Sequence, residues 1–167
     1  MTKNHYPLDG VTVLDFGQVY HGPYCGFLLA MAGANVIKIE PKTGEHLRNR
    51  GTGDIITLPF AMLNSNKKCV TLNIKSDRGK EILKRMVKKA DVLMENFAPT
   101  VMDRLEIGYE TMKAINPKLV YASGSGFGRT GPHRDKLAMD LTVQAVSGVM
   151  SVTGEMDGPP LKAGAAF

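Results

Sequence analysis

Residues 11–40 read VTVLDFGQVYHGPYCGFLLAMAGANVIKIE, and this stretch decides the fold class. Residues 11–15 form a short run rich in β-branched side chains, which predicts a buried strand. Gly22 and Pro23 mark a turn and then the start of a helix. The helix is apolar nearly all round, so we expect it to be buried. Residues 35–40 alternate as a second strand, and a strand, a helix and a strand within about 30 residues form a βαβ unit.

The rest of the chain continues this alternation of strands and helices. Further strands are predicted at residues 69–73, 92–95 and 119–123. A helix capped by Ser76 is predicted to end near residue 89, and shorter helices are predicted at residues 101–105, 109–115 and 140–149. Residues 41–57 are polar and contain glycine, which predicts a long loop. Strands separated by helices predict an α/β fold, with a mostly parallel sheet and helices on both of its faces.

Composition limits the possible classes of protein. The length of 167 residues favours one domain, and a hydrophobic content of 43% is typical of a globular chain. No apolar run approaches the roughly 20 residues that span a bilayer, and the first ten residues lack the apolar segment of a secretion signal. The two cysteines, Cys25 and Cys69, fit neither a disulfide framework nor a zinc spacing. We therefore expect a cytoplasmic protein that does not associate with a membrane.

Irregular segments rich in glycine, proline and polar residues follow four of the predicted strands. They read GQVYHGP after the first strand, PKTGE after the second, NFAP after the fourth and GSGFGRTGP after the fifth. Ligands of open parallel sheets bind outside the carboxyl ends of the strands, and all four segments fall on that edge. The glycine loop is not a dinucleotide fingerprint, because Arg129 stands where the third glycine is needed. It does not match a P-loop either, and NAD is not expected.

The net charge of +5 allows a solvated basic surface, a nucleic acid or a polyanionic small molecule as its explanation. Six basic residues lie in or beside the predicted edge segments: Lys38, Lys42, Lys67, Lys68, Lys75 and Arg104. A nucleotide that carries three phosphates needs several basic side chains to bind it. Nucleic acid is the weaker alternative, because no aromatic side chains alternate with the basic stretches. From charge alone a solvated surface is the favoured explanation, and between the two classes of ligand a small polyanion is favoured over RNA or DNA.

Two side chains of the first edge segment could take part in chemistry. Cys25 lies near a helix N-terminus, which can lower the pKa of a thiol, but its apolar neighbours favour a small buried hydrophobic residue. His21 could donate a hydrogen bond to a substrate carboxylate, or it could be an ordinary surface histidine. The other histidines, at positions 5, 46 and 133, show no spacing typical of metal ligands, and no metal is expected.

Together these segments resemble the class III CoA-transferases, which include formyl-CoA transferase, carnitine CoA-transferase and the α-methylacyl-CoA racemases. The matching stretches read PLDGVTVLDF, GPYCGFLLAMAGANVIKIEP, NSNKKCVTLNIK, ADVLMENFAP, GFGRTGP and DGPPLKAGAA. They follow the order and spacing of the family across nearly all of the chain. The resemblance implies a Rossmann-like large domain, of which residues 1–167 would be the N-terminal part. It also implies a smaller second domain and a homodimer whose chains interlock.

The resemblance also implies which residues bind the ligand. The coenzyme A contacts of the family correspond to Val19, Tyr20, His21, Leu72, Lys75, Asn96, Phe97, Arg104 and Leu105. Many members have an arginine after the second strand, where this chain has Pro41 followed by Lys42, and Lys42 would replace it. Position 106 usually holds glycine in the family and is Glu106 here. The implied substrates are an acyl-CoA and a carboxylic acid acceptor, with no permanently bound cofactor.

The chemistry implied by the resemblance is covalent catalysis by an aspartate that follows the stretch matching AGAAF. This places the nucleophile one or two residues beyond Phe167, so we expect residues 1–167 alone to be inactive. The racemase branch has a histidine where this chain has Met139, which favours the transferase. Asp140 is expected to cap the helix that follows it rather than act as a base. A racemase of the same fold and a non-catalytic nucleotide-binding or RNA-binding module are the alternatives.

Overall fold

A computed structural model describes residues 5–50 and 56–164. The chain divides into two compact units, Met1–Gly124 and Ser125–Phe167. Among these described residues, the first unit contains all the strands and most of the helices, and the second contains one α-helix and one short 3₁₀ helix. No described helix is long and apolar enough to cross a membrane.

Five strands and five helices follow one another along the described part of the first unit, with two helices between the last two strands. The strands are β1 (Thr12–Asp15), β2 (Asn35–Glu40), β3 (Lys68–Thr71), β4 (Val92–Glu95) and β5 (Val120–Ser123). The helices are α1 (His21–Met31), α2 (Leu58–Asn64), α3 (Asp77–Val87), α4 (Val101–Arg104) and α5 (Tyr109–Ile115). The predicted strands and helices are confirmed in type and order. Helix α2 was not predicted; Thr57 caps it, its side chain accepting a hydrogen bond from Phe60 N over 3.4 Å.

The five strands form one sheet in the order β3-β2-β1-β4-β5, and every neighbouring pair is parallel. Val13 of β1 pairs with Val36 of β2 on one side and with Val92 of β4 on the other. The strand order changes direction at β1, since β2 and β3 extend to one side and β4 and β5 to the other. This is the doubly wound arrangement of Rossmann-like folds, as predicted.

Hydrophobic clusters cover both faces of the sheet. Leu14 and Leu93 point to one face, where they pack with Leu83 of α3 and Met112 of α5. Val13 and its neighbours point to the other face, where Ala30 of α1 packs on them. Successive residues of a strand point to opposite faces, so β1 supplies both clusters with alternate side chains. The prediction of helices on both faces is confirmed.

The prediction that α1 is buried on all sides is wrong for the described part of the chain. Its Ala30 side packs on the sheet, but Tyr24, Leu28 and Met31 remain 53%, 49% and 51% exposed. Cys25, expected to be a small buried residue, is also exposed. An apolar sequence shows that a helix can be buried, whereas its actual burial depends on which elements pack on each side.

Helix α3 follows its sequence pattern closely. Ser76 is the N-cap, and its Oγ accepts a hydrogen bond from Gly79 N at 3.2 Å. Leu83 and Val87, four residues apart, are fully buried, while Arg85 on another face is exposed. The predicted cap and apolar face are both confirmed, because cap and period are local properties of the sequence.

In the second unit, helix α6 spans Asp140–Val146 and a 3₁₀ helix spans Val149–Val152. The prediction that Asp140 caps α6 is wrong: Met139 is the N-cap, and Asp140 is the first helical residue. The Asp140 carboxylate instead accepts a hydrogen bond from Gln144 Nε2 at 2.9 Å and lies 3.4 Å from Lys162 Nζ. An acidic residue in the first turn still stabilises the helix through its dipole. The expected nucleophile lies beyond Phe167 and therefore outside the described residues.

Candidate functional site at the carboxyl edge of the sheet

All five strands run in the same direction, so the segments that follow them lie along one edge of the sheet. The prediction that the irregular segments share this edge is therefore confirmed for the segments after β1, β2 and β4; the segment after β5 belongs to the second unit from Ser125 onward. The segment after β1 is central, because β1 is the middle strand and its neighbour β4 lies across the change of direction. We refer to residues 16–20, between β1 and α1, as the β1 loop.

Side chains from several elements hold the backbone of the β1 loop. Gly17 N donates to Asp15 Oδ1 at 2.6 Å, and Gly17 O accepts from Lys38 Nζ at 2.7 Å. Gln18 N donates to Asn96 Oδ1 at 2.7 Å, and Asn96 Nδ2 donates back to Gln18 O at 3.0 Å. Both polar backbone groups of two successive residues are thus satisfied by side chains of β1, β2 and the segment after β4. The loop is fixed before any ligand arrives.

Val19 has an unusual backbone conformation. Its φ of 61° lies in the left-handed region, which a β-branched residue rarely adopts. Val19 N donates to Glu45 Oε1 at 2.9 Å, and Glu45 itself is only 2% exposed. Within residues 5–50 and 56–164, the other carboxylate oxygen, Glu45 Oε2, is buried without a hydrogen-bond partner. Glu45 therefore stabilises the strained residue at the tip of the β1 loop.

Two close approaches bring the segments after β1, β4 and β5 together. A Cβ atom at Gly22 would lie 2.6 Å from Gly17 Cα and 2.9 Å from Asn96 Oδ1. A Cβ atom at Gly124 would lie 2.6 Å from Cε1 of His21. At Gly22 the obstacle is backbone, so only glycine allows the contact, whereas a larger residue at Gly124 would displace the His21 ring. The structure thus brings the predicted site residues Val19, His21 and Asn96 to one place.

The other predicted site residues lie in the segments that follow β1, β2, β3 and β4. Tyr20, Lys42, Lys75 and Arg104 are exposed. Leu72 is buried and its N donates to Glu40 O at 2.8 Å, while Phe97 and Leu105 pack against the core. The exposed members could contact a ligand directly, whereas the core members shape the backbone beside it.

Two of the six basic residues expected at this edge are not available to a ligand. Lys38 is fully buried, because its position in β2 points inward and its ammonium is bonded to Gly17 O. The Lys67 side chain is also fully buried and forms an ion pair of 2.8 Å with Asp15. The expectation that these lysines meet an anion is wrong. Their charge is neutralised or solvated by groups inside the fold.

A cleft of about 340 Å³ lies beyond the ends of β2 and β3. It is lined by Glu40, Lys42, Thr43, Gly44, Arg48, Cys69 and Thr71. Arg48, which the sequence did not single out, donates to both carboxylate oxygens of Glu40 at 2.9 and 2.7 Å. Its guanidinium also lies 3.9 Å from the ring centroid of Phe60.

Ionisation at this cleft is governed by opposing effects on Glu40. Burial acts to raise the pKa of the Glu40 carboxyl, but hydrogen bonds from Arg48 and from Glu45 N outweigh it, so the pKa lies below its ordinary value. The thiol of Cys69 shows the opposite result, since partial burial and the neighbouring Glu40 charge raise its pKa. Desolvation and the Asp15 carboxylate likewise raise the pKa of Cys25. A raised pKa does not suit a nucleophilic thiol.

The sequence of this chain matches a family model described as CoA-transferase family III over residues 8–167. A formyl-CoA:oxalate CoA-transferase of Streptomyces avermitilis is 46% identical over 167 residues, covering 99% of this chain and 40% of the relative. An acetyl-CoA:oxalate CoA-transferase of Acetobacter aceti is 47% identical over 161 residues, covering 95% of this chain and 41% of the relative. The chain thus spans about two fifths of the length of these curated relatives.

Solved structures give the same picture for the fold. A CAIB/BAIF family protein from Brucella suis superimposes with a TM-score of 0.90 at 37% identity, covering 97% of this chain and 44% of that protein. A protein from Mycobacterium tuberculosis superimposes with a TM-score of 0.88 at 34% identity, covering 96% of this chain and 45% of that protein.

Proposed function

Because the chain belongs to CoA-transferase family III, we propose that the protein carrying it transfers coenzyme A between carboxylic acids. The observation that carries this proposal is the family match from residue 8 to residue 167, which includes every segment of the candidate site. The relatives named above act on formyl-CoA or acetyl-CoA and on oxalate. The proposed donor is the CoA thioester of a small acid, and the proposed acceptor is a small dicarboxylate.

Residues 1–167 would be the N-terminal part of the large coenzyme A-binding domain in a longer protein that forms an interlocked homodimer. In this proposal the β1 loop, with Val19 and Tyr20, lies along the ligand, together with His21 at the start of α1. Asn96 holds the loop through its two hydrogen bonds to Gln18. A loop held by side chains loses little conformational freedom on binding, so more of the contact energy contributes to affinity.

The phosphates of coenzyme A would be bound by the exposed cations of the edge. Lys42, Lys75 and Arg104 are exposed, and within the described part of the chain none of the three forms an ion pair. Leu72, Phe97 and Leu105 would support the backbone and the apolar part of the ligand. Charge-assisted hydrogen bonds of lysine and arginine to phosphate are about twice as strong as neutral ones.

The proposed chemistry uses an aspartate that follows Phe167. Its carboxylate attacks the thioester carbonyl, the carbon–sulfur bond breaks, and CoA thiolate leaves a mixed anhydride. The thiolate then attacks the aspartyl carbonyl, which releases the donor acid and forms an aspartyl-CoA thioester. The acceptor carboxylate attacks this thioester and expels the thiolate. Attack of the thiolate on the acceptor carbonyl of the second anhydride yields the new acyl-CoA and restores the aspartate.

The binding part of the proposal is tested by calorimetry on the full-length protein, which compares the affinity for coenzyme A with the affinity for dephospho-CoA. Coenzyme A is expected to bind more tightly, because basic side chains would contact its additional phosphate. Lys75→Ala and Arg104→Ala are each expected to weaken coenzyme A binding by about 1–3 kcal/mol, because each removes a charge-assisted hydrogen bond. The matched control is Lys118→Ala, an exposed lysine that precedes β5 at the opposite edge. Equal affinity for both ligands, with neither variant differing from the control, would contradict the site. Tight RNA binding that falls steeply with salt would favour the nucleic-acid alternative.

The chemical part is tested by following exchange of CoA between acids in deuterated water. The transferase proposal expects a new acyl-CoA to form while the α-carbon of the donor stays unlabelled. Met139 stands where the racemase branch has its histidine and cannot carry a proton. Rapid incorporation of deuterium at the α-carbon, without transfer, would favour the racemase.

A further inference from the structure

Lys67 is a buried lysine whose three ammonium protons all have acceptors. Its Nζ donates to Asp15 Oδ2 at 2.8 Å, to Pro23 O at 2.8 Å and to Asn64 Oδ1 at 3.0 Å. The side chains of Lys67 and Asp15 are both 0% exposed. An ammonium group has three donors, so this environment satisfies it completely.

These three acceptors lie on three different elements. Asp15 ends β1, Pro23 belongs to the first turn of α1, and Asn64 ends α2. Asp15 uses its other oxygen, Oδ1, to accept from Gly17 N at 2.6 Å. One carboxylate therefore joins the beginning of the β1 loop to Lys67, and Lys67 joins that carboxylate to the first turn of α1. Both ends of the segment that carries Val19, Tyr20 and His21 are attached to the same ion pair.

The sequence of α1 makes room for this ion pair. A Cβ atom at Gly26 would lie 2.5 Å from Asp15 Oδ2 and 2.9 Å from Lys67 Nζ. Glycine is a poor residue for the interior of a helix, since it costs about 1 kcal/mol relative to alanine. Its presence opposite the ion pair is explained by the space that the two charged groups occupy.

A buried ion pair contributes little net stability, because removing two charges from water costs free energy. Burial lowers the pKa of Lys67, and the Asp15 charge and hydrogen bond only partly compensate. Apolar side chains of similar volume often stabilise a core as well as a buried ion pair does. Apolar contacts, however, do not orient backbone polar groups. The hydrogen bonds from Lys67 to Pro23 O and from Gly17 N to Asp15 do, because hydrogen bonds are directional.

We propose that Lys67 is a positioning residue for coenzyme A binding. It holds the β1 loop through Asp15 and the first turn of α1 through Pro23, and so fixes the position of these two segments relative to each other. This inference rests on the proposed function, because it assigns the loop a ligand. Lys67 itself, being buried, does not touch the ligand.

The test compares Lys67→Met with the control Lys80→Met in the full-length protein. Lys80 forms a surface ion pair of 3.0 Å with Glu106, so its replacement removes a lysine charge without opening a buried network. We expect the KM for the CoA thioester to rise about tenfold in Lys67→Met and to stay unchanged in Lys80→Met. A purely structural role would lower the fraction of folded enzyme, which reduces the measured kcat but leaves KM unchanged.

A second measurement follows the loop without any ligand. Hydrogen exchange by mass spectrometry should be about tenfold faster in Lys67→Met than in wild type for a peptide covering residues 16–23, and unchanged for a peptide within α3. If Lys67→Met does not fold, Asp15→Asn keeps an oxygen that accepts from Gly17 N but removes the charge and the acceptor that pair with Lys67 Nζ, and the same two measurements are made on it. Unchanged KM and unchanged loop exchange in the folded variant would overturn the proposal. Faster loop exchange in a protein that neither binds nor transfers CoA would refute the proposed function, and with it the role of Lys67 in coenzyme A binding, while showing that Lys67 still holds the β1 loop.

Discussion

Replacing Gly26 by alanine should destabilise the protein, although helix propensity alone predicts the opposite. Gly26 lies in the middle of α1, where alanine is favoured over glycine by about 1 kcal/mol. The added Cβ would lie 2.5 Å from Asp15 Oδ2, 2.9 Å from Lys67 Nζ and 3.1 Å from Asp15 Cγ. Two of these distances are far below van der Waals contact, so the charged groups must move.

The size of the destabilisation depends on how far the two charged groups can move away from the added Cβ atom. Both groups are ends of side chains, which normally give way easily, but Lys67 Nζ has three acceptors and Asp15 holds Gly17 N as well. Breaking a buried ion pair costs about 3–5 kcal/mol. Subtracting the gain in propensity leaves a net destabilisation of about 2–4 kcal/mol.

The assay is urea unfolding of the full-length protein followed by circular dichroism. Cys25→Ala is the matched control, because Cys25 is the preceding residue of the same helix and is exposed. We expect the control to unfold at the same urea concentration as wild type, or at a slightly higher one. If Gly26→Ala were as stable as the control, the ion pair would not constrain this face of α1, and our explanation of the glycine would be wrong.

Two further predictions concern the carboxylates behind the β1 loop. Arg48→Met should destabilise the protein at pH 7 by about 2–4 kcal/mol, slightly less than for a fully buried pair because the Arg48 side chain is 30% exposed. Because the pKa of Glu40 is lowered in the folded protein, its contribution to stability is complete above the ordinary value of 4.5 and is lost as the pH falls from 4.5 through the lower folded pKa. In thermal unfolding, the difference in stability between wild type and variant should therefore be constant above pH 4.5 and decrease below it, and a difference independent of pH would contradict this. Glu45→Leu should destabilise by about 1–3 kcal/mol by leaving Val19 N without its acceptor, whereas Glu45→Gln keeps an acceptor and should cost less; equal effects would show that Val19 does not depend on this bond.

Much of the architecture follows from local patterns. The β-branched run before Asp15, the Ser76 cap and the apolar period of α3 depend on residues close together in the sequence, and the structure confirms each of them. The alternation of strands and helices implies parallel strands, and parallel strands imply a shared carboxyl edge. The general position of the candidate site could therefore be predicted without knowing any contact.

The tertiary structure decided what individual side chains at that edge can do. Lys67 and Lys38 resemble surface cations in the sequence, but acceptors from distant segments solvate them inside the fold; Asp15, for example, lies 52 positions from Lys67. The left-handed conformation of Val19 is equally invisible in the sequence, because it depends on Glu45 arriving from the segment after β2. Local propensity acts over a few residues, whereas the burial of a charge or a strained backbone depends on partners that only the folded chain brings within 3 Å of each other.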